Sequence, residues 1–162
     1  MIIPLETVIL DERARNGVWC TKYYKGHPKG CPNYPKCIKS KPHFNTFQGY
    51  FWFAVVEPFD LKTHAENMKE KHPKWSERQC RNLLYWQNGV RSSLKKKAER
   101  FAFPLMGDII LDIPEANGVQ VFDTMEKHGL VLEKNKPDII HKIMFVGKRN
   151  SLLTQTPKEK VN

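Results

Sequence analysis

The sequence has no apolar run approaching the roughly 18 residues that span a bilayer, which excludes a simple transmembrane helix. It is also short of acid: 17 Asp and Glu stand against 27 Lys and Arg in 162 residues, a net charge of +10. That imbalance favours an anionic partner such as nucleic acid or a phosphorylated small molecule, although charge governs association rather than fold. The first residues, MIIPLETVILDERARN, lack a basic start followed by a long apolar stretch and do not read as a signal peptide. A cytoplasmic location is therefore expected, where the four cysteines stay reduced and serve metal ligation or thiol chemistry rather than disulfides. There is no nucleophile elbow, no phosphate-binding glycine loop and no paired-carboxylate motif, so no reaction can be named.

What is present concentrates in residues 19–43, where Cys20, Cys31 and Cys37 stand among six lysines and no acidic residue. Pro28, Pro32, Pro35 and Pro42 with Gly26 and Gly30 exclude regular helix or central strand there. With hardly an aliphatic side chain to bury, the segment needs another source of order, and thiolate-bound metal is the simplest. Nearby lysines favour the thiolate form. Cys80 makes a fourth thiol, so the set Cys20, Cys31, Cys37 and Cys80 matches either an all-cysteine zinc site or a cysteine-ligated iron–sulfur cluster. Cys80 equally suits a buried packing position near a helix start, in which case His27 or His43 would complete the site. His64, His72, His128 and His141 read as structural or solvated. Lys22, Lys25 and Lys29, interleaved with Tyr23, Tyr24 and Tyr34, together with Arg91 and Lys95 on a helix face, form a candidate nucleic-acid surface.

Along the chain, residues 2–10 suggest an edge strand that tolerates Pro4. The run YFWFAVV at 50–56 reads as a strand buried on both faces. Asp60 caps a helix to about residue 70, stopped at His72-Pro73. Ser76 and Gln79 make a capping box for one long helix reaching Phe103-Pro104, whose Gly89 suggests close approach of another backbone. A strand at 108–113, a helix at 118–128 ending at Gly129, a short strand at 130–132 and a last strand at 139–146 follow. The expected fold is α+β in one domain over residues 1–150: a mixed β-sheet with helices packed on one side. The cysteine-rich loop 19–43 is an irregular appendage and 151–162 a polar tail.

Two segments also carry a resemblance. Gly30-Cys31-Pro32-Asn33-Tyr34, with Cys20 before and Cys37 after, resembles the N-terminal signature of a microbial family of cysteine-rich, predicted metal-binding proteins with no assigned function. Glu115-Ala116-Asn117-Gly118-Val119-Gln120-Val121-Phe122 is similar to that family's Glu-Ala-x-Gly-x-x-Val-Phe segment. The resemblance implies metal binding by Cys20, Cys31 and Cys37. Two departures stand out: Cys37 is followed by Ile38 and Lys39 instead of two prolines, and no cysteine follows Cys80. The second implies a single metal where other members would carry a fuller cluster. Glu115 suits either an acid, base or ligand role, or a helix entry where its charge meets the dipole.

Overall fold

The computed structural model describes residues 1–15, 41–133, 135 and 137–150. Segment 16–40, with Cys20, Cys31, Cys37, Lys22, Lys25 and Lys29, and segment 151–162 lie outside the described residues. Four strands form one sheet in the order β1-β2-β4-β3, with β1 at Ile2–Leu5, β2 at Tyr50–Asp60, β3 at Ile109–Leu111 and β4 at Ile139–Arg149. The helices are α1 (Glu12–Arg15), α2 (Leu61–Lys71), α3 (Glu77–Cys80), α4 (Gln87–Phe101) and α5 (Val121–Lys127).

The class is α+β, but the sheet is not mixed: every pairing is antiparallel. β2 and β3 point the same way, yet β4 inserts between them and turns both contacts antiparallel. Nor do the helices share one side. Strand alternation sends Trp52, Ala54, Val56, Leu111 and Phe145 to one face, where they meet Val119, Val121 and Met125 in and before α5. The other face presents Val55, Met144 and Val146 to Leu94 and Ala98 of α4. A strand apolar on both faces needs cover on both, and one-sided packing would leave half of it in water.

β2 runs past Pro58 to Asp60, longer than its apolar run suggests. Val56 N–H donates outward to Met1 O at 2.9 Å, so the nitrogen of residue 58 faces the same edge beyond the end of β1. A missing donor costs nothing there.

Asp60 caps α2, its carboxylate accepting from Thr63 N at 2.8 Å. Ser76 and Gln79 form the expected capping box, but the helix they start ends at Cys80. Asn82 then accepts from Leu84 N and opens a 3-10 turn at Leu83–Tyr85, and Trp86 leaves helical geometry at φ −133°. Its indole is buried, stacked on Phe59 with centroids 4.8 Å apart, and donates to Arg81 O at 3.3 Å. Anchoring that ring breaks the predicted long helix into α3 and α4. The expected strand at 130–132 is irregular, although Leu130 and Leu132 still pack on the core.

The glycines of α4 and β4 have opposite surroundings. A Cβ on Gly89 would meet nothing within 4 Å, so no backbone approaches there, contrary to the expectation from sequence. A Cβ on Gly147 would lie 3.0 Å from two Trp52 ring atoms and 3.1 Å from Ile109. Gly89→Ala should therefore raise stability by roughly 0.5–1 kcal/mol. Gly147→Ala should lower it by about 1–3 kcal/mol through overpacking. Urea unfolding of both variants checks the pair, and a stabilising Gly147→Ala would contradict the packing described.

Candidate functional site

The turn that follows β3 is where the chain gathers its polar contacts. Residues Pro114–Asn117 form a 3-10 turn closed by Gly118 at φ +88°, a left-handed conformation that favours glycine. A Cβ there would also come within 3.3 Å of His43 Nε2, so the close approach of His43 depends on the bare backbone.

Two stretches of chain dock on this turn, one on each side of segment 16–40. On the N-terminal side, Asp11 N donates to Gly118 O at 2.9 Å and Gln120 N donates to Ile9 O at 2.8 Å. Ala14 of α1 is buried where that helix packs on the turn. On the C-terminal side, buried Asn117 donates through Nδ2 to Pro42 O at 2.7 Å, and Lys41 Nζ pairs with Asp112 at 3.0 Å. Glu12 and His43 join the two sides directly, His43 Nε2 with Glu12 Oε1. The cysteine-bearing segment thus leaves and returns at one place, held by residues of the second motif segment.

Two carboxylates near this root, Asp112 and Glu115, have their pKa values shifted in opposite directions. Asp112 also binds Arg91 of α4 at 3.0 Å. Partial burial works against its charged form, but the Lys41 hydrogen bond and the charges of Lys41 and Arg91 outweigh it and hold its pKa below the usual value. Glu115 is the opposite case. The residue is half-buried, and burial pushes its pKa up despite a hydrogen bond from its own backbone N–H and the charge of Lys142. It does not sit at the N-terminus of α5: Gln120 takes that cap, accepting from Asp123 N at 3.2 Å. Glu115 stands instead in the first turn of the short 3-10 helix that precedes α5.

Cys80 lies elsewhere, at the end of α3. Its side chain is buried, with 1% of the residue exposed, and the thiol is free. It lines a cavity of about 610 Å³ between α2 and α3, with Ala65, the cations Lys62, Lys69 and Arg81, and the carboxylates Glu66, Glu77 and Asp138. Arg81 closes one end, donating to Pro137 O at 3.1 Å and pairing with Asp138 at 3.3 Å and Glu77 at 3.2 Å. Among the described residues no group of three or more His, Cys, Asp or Glu side chains is arranged to hold a metal ion.

The remaining candidates separate. His43 has both ring nitrogens engaged, Nδ1 accepting from Asn45 N at 3.2 Å and Nε2 facing Glu12. His128 is structural: Nε2 accepts from Glu6 N at 3.0 Å, and Nδ1 faces Thr124 O at 2.7 Å. His72 stacks on Trp75, and His64 packs at a tilt against Phe59. Arg91 is tied to Asp112, and Lys95 is paired with Glu99 at 3.6 Å. The sequence pattern does not reveal Glu12, Asp112 and Asn117, which work through partners remote in sequence; only the Asn-Gly step at 117–118 marks a turn. No protein-family model, curated protein or solved structure matches the chain.

The two carboxylates should show opposite pH behaviour. A raised Glu115 pKa means the native state holds its proton more tightly, so stability falls as pH rises from 4.5 through the folded value. Glu115→Gln should remove that loss, leaving the variant's melting temperature equal to wild type near pH 4 and higher at pH 8. Asp112, lowered from 3.8, stabilises above that value and loses its contribution as pH falls through the folded pKa. Asp112→Asn should therefore destabilise at pH 7 and converge with wild type as pH falls through the folded pKa. Melting curves across pH test both, and parallel curves for wild type and variants would refute the assignments.

Proposed function

We propose that this is a metal-binding protein that holds one zinc ion or one iron–sulfur cluster through Cys20, Cys31 and Cys37. The observation that supports the reading best is the shared anchorage of both sides of segment 16–40 on the turn after β3. Bringing distant ligands together in a free chain costs closure entropy, on the order of 3 kcal/mol for a loop of about 30 residues. The contacts of Glu12 with His43 and of Asn117 with Pro42 meet that cost within the protein fold. Lysine-rich surroundings and the resemblance of both motif segments to a metal-binding family point the same way. The fourth ligand is a residue outside that trio: Cys80, buried between α2 and α3, or a histidine, His27 or His43. A nucleic-acid reading based on Arg91 and Lys95 gains nothing from α4, because both are ion-paired within the protein. A cytoplasmic setting remains part of the proposal.

Protein purified without oxygen should carry one equivalent of zinc, colourless, or iron with charge-transfer absorption in the visible. Cys31→Ser should lose it. Whichever of Cys80→Ser or His27→Ala also lowers occupancy names the fourth ligand; His43→Ala names it only if Glu12→Ala, which breaks the same anchor, leaves occupancy intact. Elemental analysis showing neither metal in stoichiometric amount would end the proposal. Asn117→Ala, which leaves Pro42 O without its buried donor, should cost about 1–3 kcal/mol in urea unfolding. It should also weaken metal retention against a chelator.

A further inference from the structure

The Asn117-Gly118 step carries a chemistry that the metal reading does not use. In an asparagine-glycine pair the glycine nitrogen, with no side chain to obstruct it, can attack the carbon of the preceding side-chain amide. The chain has this pair three times: Asn117-Gly118 at the root of the cysteine-bearing segment, Asn88-Gly89 at the exposed start of α4, and Asn16-Gly17 outside the described residues.

At the root three features oppose that attack. Asn117 Nδ2 donates to Pro42 O at 2.7 Å, so the amide nitrogen that would leave is held. Gly118 N donates to Glu115 O at 2.9 Å, so the nitrogen that would attack is committed to another acceptor. Asn117 is 2% exposed, which withholds the water that completes the reaction. Only the Pro42 bond joins this turn to another stretch of chain, and that stretch is held by partly exposed pairs, Lys41 with Asp112 and His43 with Glu12. Such pairs are weak singly, so the root opens more readily than the sheet behind it.

We propose that Asn117 is a deamidation site gated by the Pro42 contact, and that its conversion makes the release of residues 41–43 from the turn permanent. When Pro42 withdraws, Gly118 N gives up its proton and attacks Asn117 Cγ. The new N–Cγ bond forms, the Cγ–Nδ2 bond breaks, and Nδ2 leaves as ammonia, taking up one proton. Water then opens the cyclic imide at either carbonyl, giving aspartate or isoaspartate, with no oxidant, reductant or cofactor required. Either product presents a carboxylate, an acceptor with no hydrogen to give, where Pro42 O needs a donor, and burying that charge unpaired is costly. Isoaspartate also adds a methylene to the main chain directly before Gly118, whose φ of +88° closes the turn. The reaction needs only the turn and its Pro42 contact, so it does not rest on metal binding by the cysteines.

Peptide mapping of full-length protein held at neutral pH and sampled over time tests this, with aspartate and isoaspartate resolved at each asparagine. Where opening is fast relative to the chemistry, the rate at Asn117 follows the population of the open root. Asn117 should therefore convert slowly in the native protein and much faster in guanidinium. Glu12→Ala and Lys41→Ala should each accelerate it about 2- to 5-fold, the effect of losing one partly exposed pair, while Asn88 in the same sample keeps its rate. Asn117→Asp, which is one of the products, should speed hydrogen exchange in peptides covering residues 41–47, and Asn88→Asp should not. Equal acceleration of Asn88 in the root variants would place the gate in global unfolding and overturn the proposal. So would an Asn117 rate that is the same in native and unfolded protein, a rate indifferent to both root variants, or an Asn117→Asp protein whose root exchanges as slowly as wild type.

Discussion

The molecule depends on the pairing of β2 with β4, residue against residue from Tyr50 opposite Arg149 to Asp60 opposite Ile139. Both strands carry apolar side chains to both faces, so neither face can be left to water. α4 closes one, and α5 with the segment before it closes the other. Tight contacts record how little room this leaves: Gly147 of β4 is bare because the Trp52 ring occupies the place of its side chain.

From that two-sided sheet the rest takes its position. α4 is pinned on both flanks, by Arg91 to Asp112 beyond β3 and by Ser93 and Lys97 to Glu57 on β2. Burial opposes the charge on Glu57, but the bonds from Lys97 and Ser93 outweigh it and keep the carboxylate ionised. Asp112 thus stands between helix and root, bound to Arg91 on one side and to Lys41 on the other. The anchorage of the cysteine-bearing segment is therefore mechanically continuous with the helix that covers the sheet.

Features set by near neighbours along the chain are legible in the sequence itself. Asp60 as a cap, the Ser76–Gln79 box and Gly129 after α5 each act within four residues, and each is found in place. The break at Trp86 is not legible in that way, because its cause is Phe59, a ring on a strand far earlier in the chain. The same holds for the site. Glu115 stands out as a motif residue, but the partial burial that raises its pKa comes from surroundings that spacing cannot supply, and the Glu12–His43 contact unites residues with no pattern between them. The two-sided helix cover is implied by the apolar run at 50–56, whose own composition argues against the one-sided packing expected.

The long separation of β2 from β4 has a consequence during synthesis. Residues 61–138 must be made after β2 before its central partner exists, so the growing chain carries Phe51, Phe53, Val55 and Val56 without the strand that will pair with them. Contacts this distant close slowly, because the entropy of ordering the intervening chain is lost before the pairing energy is gained. The charge of the protein then acts in a second way: abundant lysine and arginine make half-made chains repel one another through the interval when an apolar strand edge is most open to wrong partners.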